Sequence, residues 1–403
     1  MNILMVADVF FPDTIGGAGR VAYHLSHELA VRRHVIHVLS RNPDGDLPSY
    51  QLLEPNLFVH RFLTPSKESL GLLVNETKNS FTAAKELNSH NHFDCVCAHQ
   101  SLATIGPLLC RKLRDLPIAF LFHSPWHEEY LVKKQPQAGL FDRFVASCMK
   151  WVERQVLIKA SKIFVLSRYM EEKLRILHKI PEVKIFIIPG GVDLERFSLP
   201  AKGKVKAKEL LVSPSDRTIF LTIRNLVPRM GIENLIEAFK ASHILKEKGL
   251  LFIGGEGFLK KSLRALVEKH GLEKSIHFLG RISEKDLLSY YQAADFFLLP
   301  TRELEGFGLV ILEAMASGTP VLGTPVGAIP ETISLFNRNL LFEGTRHEDM
   351  RTKLEDVVQH PEKYRFDAES CRRFVEERYS WEKMAAAFEE EMIKLVDQKS
   401  NKV

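Results

Sequence analysis

Pro300-Thr301-Arg302-Glu303-Leu304-Glu305-Gly306-Phe307-Gly308-Leu309-Val310-Ile311-Leu312-Glu313-Ala314 is the stretch whose reading decides the fold. A short apolar run, 296–299, precedes it and reads as a strand. The run 309–316 reads as an apolar helix, and the Gly-Phe-Gly turn opens it. Glu305 falls just before that helix and Glu313 one to two turns inside it. A helix N-terminus favours an anion, such as a diphosphate or a developing leaving-group charge. Carboxylates accept hydrogen bonds from sugar hydroxyls. An isolated acidic pair is usually a solvated helix face, but Glu313 is set among Leu309-Val310-Ile311-Leu312 and Ala314-Met315-Ala316. A carboxylate buried there needs a partner and marks a functional position.

Outward from this stretch, strands and helices alternate. In the second half strands are expected at 218–223, 250–253, 276–279, 296–299 and 320–323, with helices at 231–242 and 309–316 among those between them. In the first half strands are expected at 2–7, 35–39, 93–98, 118–123, 162–166 and 183–188. Helices are expected there at 19–32, 102–113, 141–159 and 170–177. Such alternation implies parallel sheets covered on both faces. Pro189-Gly190-Gly191 marks the hinge, because two adjacent glycines after a strand break the chain direction. The basic stretch 199–209 reads as a surface loop, and 381–396 as a last amphipathic helix. Two open α/β domains place their ligand crevices at the carboxyl ends of strands, here facing an interdomain cleft.

Composition agrees with this division. A chain of 403 residues is too long for one ordinary core. Hydrophobic residues make up 45% and charged residues 26%, as in soluble globular proteins, so disorder is expected only in the tail, 397–403. The net charge is +5, and all of it lies in residues 1–190, where 23 Lys and Arg face 18 Asp and Glu. A basic first domain suits an acidic acceptor or an anionic membrane surface, or is ordinary surface charge. The set Lys133, Lys134, Arg143, Lys150, Arg154, Lys159 and Lys162 puts some of this charge on one face of 141–159. No nucleic-acid partner is expected. The five cysteines, the absence of a secretory apolar core behind Met1 and the lack of any apolar run of about 18 residues predict a reduced, cytoplasmic chain that does not span a membrane. Cys95-Val-Cys97 has no second ligand pair and reads as small buried hydrophobes on a strand.

Two further motifs are local. Gly16-Gly17-Ala18-Gly19-Arg20 occupies the loop between the first strand and the first helix. Glycines let backbone amides approach a phosphate, and the helix adds partial positive charge. A dinucleotide fingerprint is a poor fit, because the loop is long and no acidic residue marks a ribose site; a turn without a ligand is the plain alternative. Asp44-Gly45-Asp46 lies between Asn42-Pro43 and Pro48 and reads as a turn rather than a metal site.

Taken together, 299–320 resembles the signature of the retaining GT-B glycosyltransferases of family four, the group one glycosyl transferases. Gly16-Gly17, Val165-Leu166-Ser167, Ile188 to Asp193, Gly254-Gly255-Glu256-Gly257, His277 to Gly280, Ala293-Ala294-Asp295 and Gly327 to Glu331 match as well, so the resemblance covers nearly the whole chain. It implies an α/β, GT-B fold of two Rossmann-like, doubly wound domains facing a central cleft. Residues 1–188 would form the acceptor-side domain and 189–379 the donor domain, with a helix at 380–396 packing back on the first. It implies a hexosyltransferase that uses a nucleotide-sugar donor, UDP- or GDP-linked, and keeps the anomeric configuration. The acceptor would be a glycan, a lipid-linked sugar or a small molecule. No cofactor and no metal are required by this reading, and peripheral contact with the inner face of a membrane is compatible with it.

The resemblance also distributes roles. Glu305 would bond the donor sugar and support its developing positive charge, and Glu313 would hold the ribose. Phe307, Gly308, Leu309 and Val310 would offer backbone groups at the helix start. The family places Arg and Lys where Asn225 and Met230 stand, to clamp the diphosphate. In Ile223-Arg224-Asn225-Leu226-Val227-Pro228-Arg229-Met230-Gly231 each cation stands one residue earlier, so Arg224 and Arg229 are expected to replace them, with help from the Gly16-Gly17 amides. His123 ends the apolar strand Phe120-Leu121-Phe122 and matches a family histidine that contacts the donor sugar. His127, Glu128 and Glu129 are expected on the acceptor side, and His24 and His99 in packing or loops. Closure of the two domains would exclude water. A non-hydrolysing nucleotide-sugar epimerase and a non-catalytic nucleotide-sugar-binding protein are the alternatives, separated by whether an acceptor is glycosylated.

Overall fold

The computed structural model describes residues 1–13, 16–64, 70–134, 137–200 and 217–400. The chain divides into two compact units. The first comprises Met1–Gly191 and Trp381–Val403, the second Val192–Ser380. The division falls at the Pro189-Gly190-Gly191 segment.

The first unit is built on an eight-stranded sheet. Its strands are β1 Asn2–Ala7, β2 Val35–Asn42, β3 Tyr50–Glu54, β4 Leu57–Leu63, β5 Cys95–Ala98, β6 Ile118–Phe122, β7 Lys162–Val165 and β8 Ile185–Ile187, in the order β3-β4-β2-β1-β5-β6-β7-β8. All pairs are parallel except β3 with β4. The central strands read Ile-Leu-Met-Val-Ala and Ile-Ala-Phe-Leu-Phe and are buried on both faces, as expected where helices cover a parallel sheet. The helix Gly17–Val31 turns Val21, Leu25 and Leu29 inward, one per turn. The last helix, Trp381–Ser400, belongs to this unit. It buries Trp381, Met384, Phe388 and Met392, stacks Trp381 on His24, and binds Arg32 and His34 through Glu389.

The second unit holds a parallel five-stranded sheet: β9 Thr218–Ile223, β10 Gly249–Gly254, β11 Ile276–Gly280, β12 Phe296–Leu299 and β13 Val321–Gly323. Their order is β11-β10-β9-β12-β13. The helix Leu309–Ala316 is buried from Ile311 onward, as its continuous apolar run requires.

Several elements differ from expectation. β3, β4, and the helices Leu70–His90 and Trp126–Lys134 have no counterpart in the sequence reading. β3 is a short antiparallel edge strand with Tyr50 and Leu52 exposed, so it has no two-sided apolar run. The helix expected at 102–113 stops at Leu109, two residues after Pro107, and restarts at Arg111. The helix at 170–177 is Arg168–Lys173 followed by a π turn, Leu174–His178. The last helix continues through 397–400, so those residues are ordered by their helix rather than disordered; 401–403 lie outside the described residues, as does most of 199–209.

Candidate active site

In each unit the strand order reverses at one place, and a ligand crevice is expected at the carboxyl ends there. In the second unit the reversal lies between β9 and β12, which are paired neighbours. The loop after β9 carries Arg224 and Arg229, and the loop after β12 carries Glu305. These loops meet. Arg224 Nη2 donates to Glu305 Oε2 at 2.5 Å, with both side chains largely buried. The same guanidinium touches the Met230 sulfur at 2.9 Å. Arg229 Nη1 donates to the Leu304 carbonyl at 2.8 Å, and the Arg302 amide donates to the Arg229 carbonyl at 2.7 Å. The two displaced cations are thus both anchored on the Glu305 loop.

Backbone approach sets this loop. The Ala328 amide donates to the Glu305 carbonyl at 2.9 Å, and Gly327, at φ +60°, lies so close that a Cβ there would stand 2.3 Å from that oxygen. Gly255 packs against the Arg224 loop in the same way: its Cβ would lie 1.9 Å from the Arg224 carbonyl. Gly308 then starts the Leu309–Ala316 helix, and Phe307 is buried against Tyr379. The amides of Leu309 and Val310 open the helix, where N–H groups have no partner within the helix, and those of Phe307 and Gly308 lead into it. Glu313 is buried, as its apolar neighbours imply. Its partner is Tyr291, whose hydroxyl donates to Oε2 at 2.8 Å. Nothing in the sequence reading singled out Tyr291.

In the first unit the reversal lies between β1 and β5. Gly16 caps the Gly17–Val31 helix with extended backbone, and a Cβ there would meet nothing within 4 Å. Neither packing nor conformation demands glycine at that point. His123 follows β6 directly, and its Nε2 lies 3.0 Å from Nδ1 of His99, the residue after β5. Burial lowers the His123 pKa to about 4 and holds His99 well below its usual range, so both rings are neutral at pH 7 and one donates to the other. His99, expected in packing or a loop, is the direct partner of His123.

Two further acids, half-buried Asp8 and buried Glu76, lie in this unit. Asp8, after β1, accepts from the Ala103 amide at 3.0 Å. Glu76 has no exposed surface, and Arg41 Nε lies 3.6 Å from it. Burial raises Asp8 to about 6 and Glu76 to about 8. Of the residues expected on the acceptor side, Glu128 binds Lys173 and Glu129 accepts from Ser124. His127 is buried and faces Glu153 and His178, so it lines no open surface.

Two parallel-sheet units with polar loops at their strand reversals define the GT-B class of fold. Sequence models match each half: "Glycosyltransferase Family 4" over residues 15–196 and "Glycosyl transferases group 1" over 204–381. The chain belongs to the group 1 glycosyltransferases of GT-B fold, and it is a glycosyltransferase enzyme. It is 24% identical to a glycogen synthase of Mycobacterium tuberculosis over 96% of this chain and 93% of the relative. Among solved structures, sucrose-phosphate synthase from Thermosynechococcus elongatus superposes with a TM-score of 0.83 at 22% identity, covering 98% of this chain and 99% of the other. Anabaena HepE in complex with UDP and glucose superposes with a TM-score of 0.72 at 17% identity, covering 98% and 100%. Family membership sets aside the epimerase and the non-catalytic readings.

Proposed function

We propose that this enzyme transfers a hexose from a UDP- or GDP-sugar to a glycan, lipid-linked or small-molecule acceptor, with retention at the anomeric carbon. The observation that carries the reading is the pairing of Arg224 with Glu305 at the strand reversal of the second unit. A carboxylate beside a cation and a helix N-terminus offers hydroxyl acceptors to a sugar and a positive field to its leaving diphosphate. Glu305 is assigned to the donor sugar, Glu313 to the ribose, and Arg229 and the amides of Phe307, Gly308, Leu309 and Val310 to the diphosphate. Arg224 orients Glu305 and adds its charge to the same region. From the first unit, Gly16 and Gly17 are assigned to the diphosphate and His123 to the sugar, as a neutral hydrogen-bond partner. No metal or cofactor is assigned to the transfer step.

We also assign an anionic membrane surface to the helix Leu140–Lys159. Phe141, Phe144 and Trp151 are each about two-thirds exposed, and Arg143 and Arg154 are exposed beside them. Aromatic side chains flanked by cations suit a lipid headgroup layer. A lipid-linked acceptor would be met there.

The test is incubation of the purified enzyme with UDP- and GDP-sugars and a broad acceptor set, following nucleotide release and the anomeric configuration of the product. Release that depends on an acceptor, with the donor's configuration kept, is expected. No release from any pair, or inversion, overturns the reading. Sedimentation with anionic vesicles, lost in Phe144→Ser/Trp151→Ser, tests the membrane assignment.

A further inference from the structure

The first unit contains a buried cluster that sugar transfer does not use. His127 comes from the helix Trp126–Lys134, Glu153 from Leu140–Lys159 and His178 from the end of the π turn Leu174–His178. Three segments distant in sequence send one side chain each to the same point. His178 Nε2 lies 3.0 Å from Glu153 Oε2, and His127 Nδ1 lies 3.8 Å from it. One ligand atom from each residue falls within 4.8 Å of the other two. His178 has no exposed surface, Glu153 has 3% and His127 has 7%.

The polar atoms here are not satisfied. Neither ring nitrogen of His178 makes a hydrogen bond of acceptable geometry, nor does His127 Nδ1, nor Glu153 Oε2. Buried polar atoms ordinarily have partners, and one such atom from each of the three residues lies within 4.8 Å of the other two, an arrangement that suits a ligand. The outer contacts are in place. Glu153 Oε1 accepts from the Trp126 amide at 3.2 Å, and the His178 carbonyl accepts from Arg154 Nε at 3.1 Å. The first of these orients the Glu153 carboxylate, as outer contacts of metal-binding side chains do.

We propose that His127, Glu153 and His178 supply three ligands of a site for one divalent transition-metal ion of the zinc class, whose fourth position a water would fill. Two imidazole nitrogens and one carboxylate oxygen are a donor set that zinc accepts, and one too soft for magnesium or calcium. The separations of 3.0 and 3.8 Å bracket the ~3.4 Å expected between ligands about 2.1 Å from a tetrahedral centre. The ion would tie both helices to the turn after β7. It would also fix the segment that begins at His123, four residues before His127. Its place is in the fold of the first unit, not in the transfer step.

The test uses the full chain and zinc alone. Protein stripped with a chelator is loaded with zinc, desalted and analysed for metal content and thermal midpoint. One zinc per chain is expected, with a higher midpoint in the loaded than in the stripped protein. The isosteric Glu153→Gln and, separately, His127→Ala should each lose at least tenfold in zinc affinity. His243→Ala, at an exposed site, should keep it. Cobalt(II) in the wild type should give the intense visible bands of tetrahedral coordination, which reads the site without any variant. Substoichiometric zinc, zinc retention unchanged in both variants, or only weak octahedral cobalt bands would overturn the proposal and leave a metal-free buried contact between His178 and Glu153.

Discussion

Arg224 and Glu305 are 81 positions apart and meet at 2.5 Å, because β9 and β12 are neighbours in the sheet and each residue lies in the loop beyond its strand. The pair is largely buried, so each member depends on the other. Glu305→Gln should keep the fold and lower kcat by roughly 10²–10³, the usual cost of losing a preorganised electrostatic group. Arg224→Ala should lower activity too and destabilise the protein by about 1–3 kcal/mol through the buried group left unpaired. Combining the two should cost less than the sum of the single effects. Nucleotide release and thermal unfolding check this, and strict additivity would argue that the pair does not act as a unit.

Two glycines in the site should behave oppositely. Gly327→Ala brings a Cβ onto the Glu305 carbonyl at a positive φ, so it should destabilise by about 1–3 kcal/mol and impair catalysis. Gly16→Ala meets open space on extended backbone and should leave stability unchanged, while raising KM for the donor. A donor KM unaltered in Gly16→Ala removes Gly16 from the diphosphate assignment.

His123 should work as a neutral imidazole. Burial brings its pKa to about 4, so an acid limb of kcat/KM owed to it should lie near pH 4 and not near 6.5. The pH profiles of wild type and His123→Asn check this. A limb near 6.5 that disappears in the variant would contradict the neutral role.

Glu76 sets a pH dependence of stability. Its folded-state pKa is raised from 4.5 to about 8, so the folded protein keeps a proton that the unfolded chain has lost. That contribution is fully present below about pH 4.5 and disappears as pH rises to about 8. His60 acts in the opposite sense: lowered from 6.5 to about 4, it costs stability as pH falls through that range. Between 6.5 and 8 only the acidic effect operates among these two. The thermal midpoint should therefore fall across that interval, and Glu76→Gln should flatten the fall. An unchanged slope in the variant would count against a protonated Glu76.

The last helix should be indispensable to the first unit. Phe388 is fully buried against Phe164 of β7. Phe388→Ala should cost about 3–5 kcal/mol, measured by denaturant unfolding. A loss below about 1 kcal/mol would show that the helix is loosely attached.

The sequence by itself determined the α/β alternation, most strand positions and the location of Glu305 and Glu313. These follow from local signals: two-sided apolar runs, a Gly-Phe-Gly turn, and a carboxylate inside an apolar helix. The edge strand β3 escaped because Tyr50 and Leu52 face water, none of its residues is fully buried and no continuous run marks it. Tertiary structure alone decided which side chains meet. Strand order brings Arg224 to Glu305 and His99 to His123, helix packing brings Tyr291 to Glu313, and three separate segments converge at Glu153. Such contacts depend on the folding together of residues tens of positions apart, where spacing along the chain carries no record of distance in space.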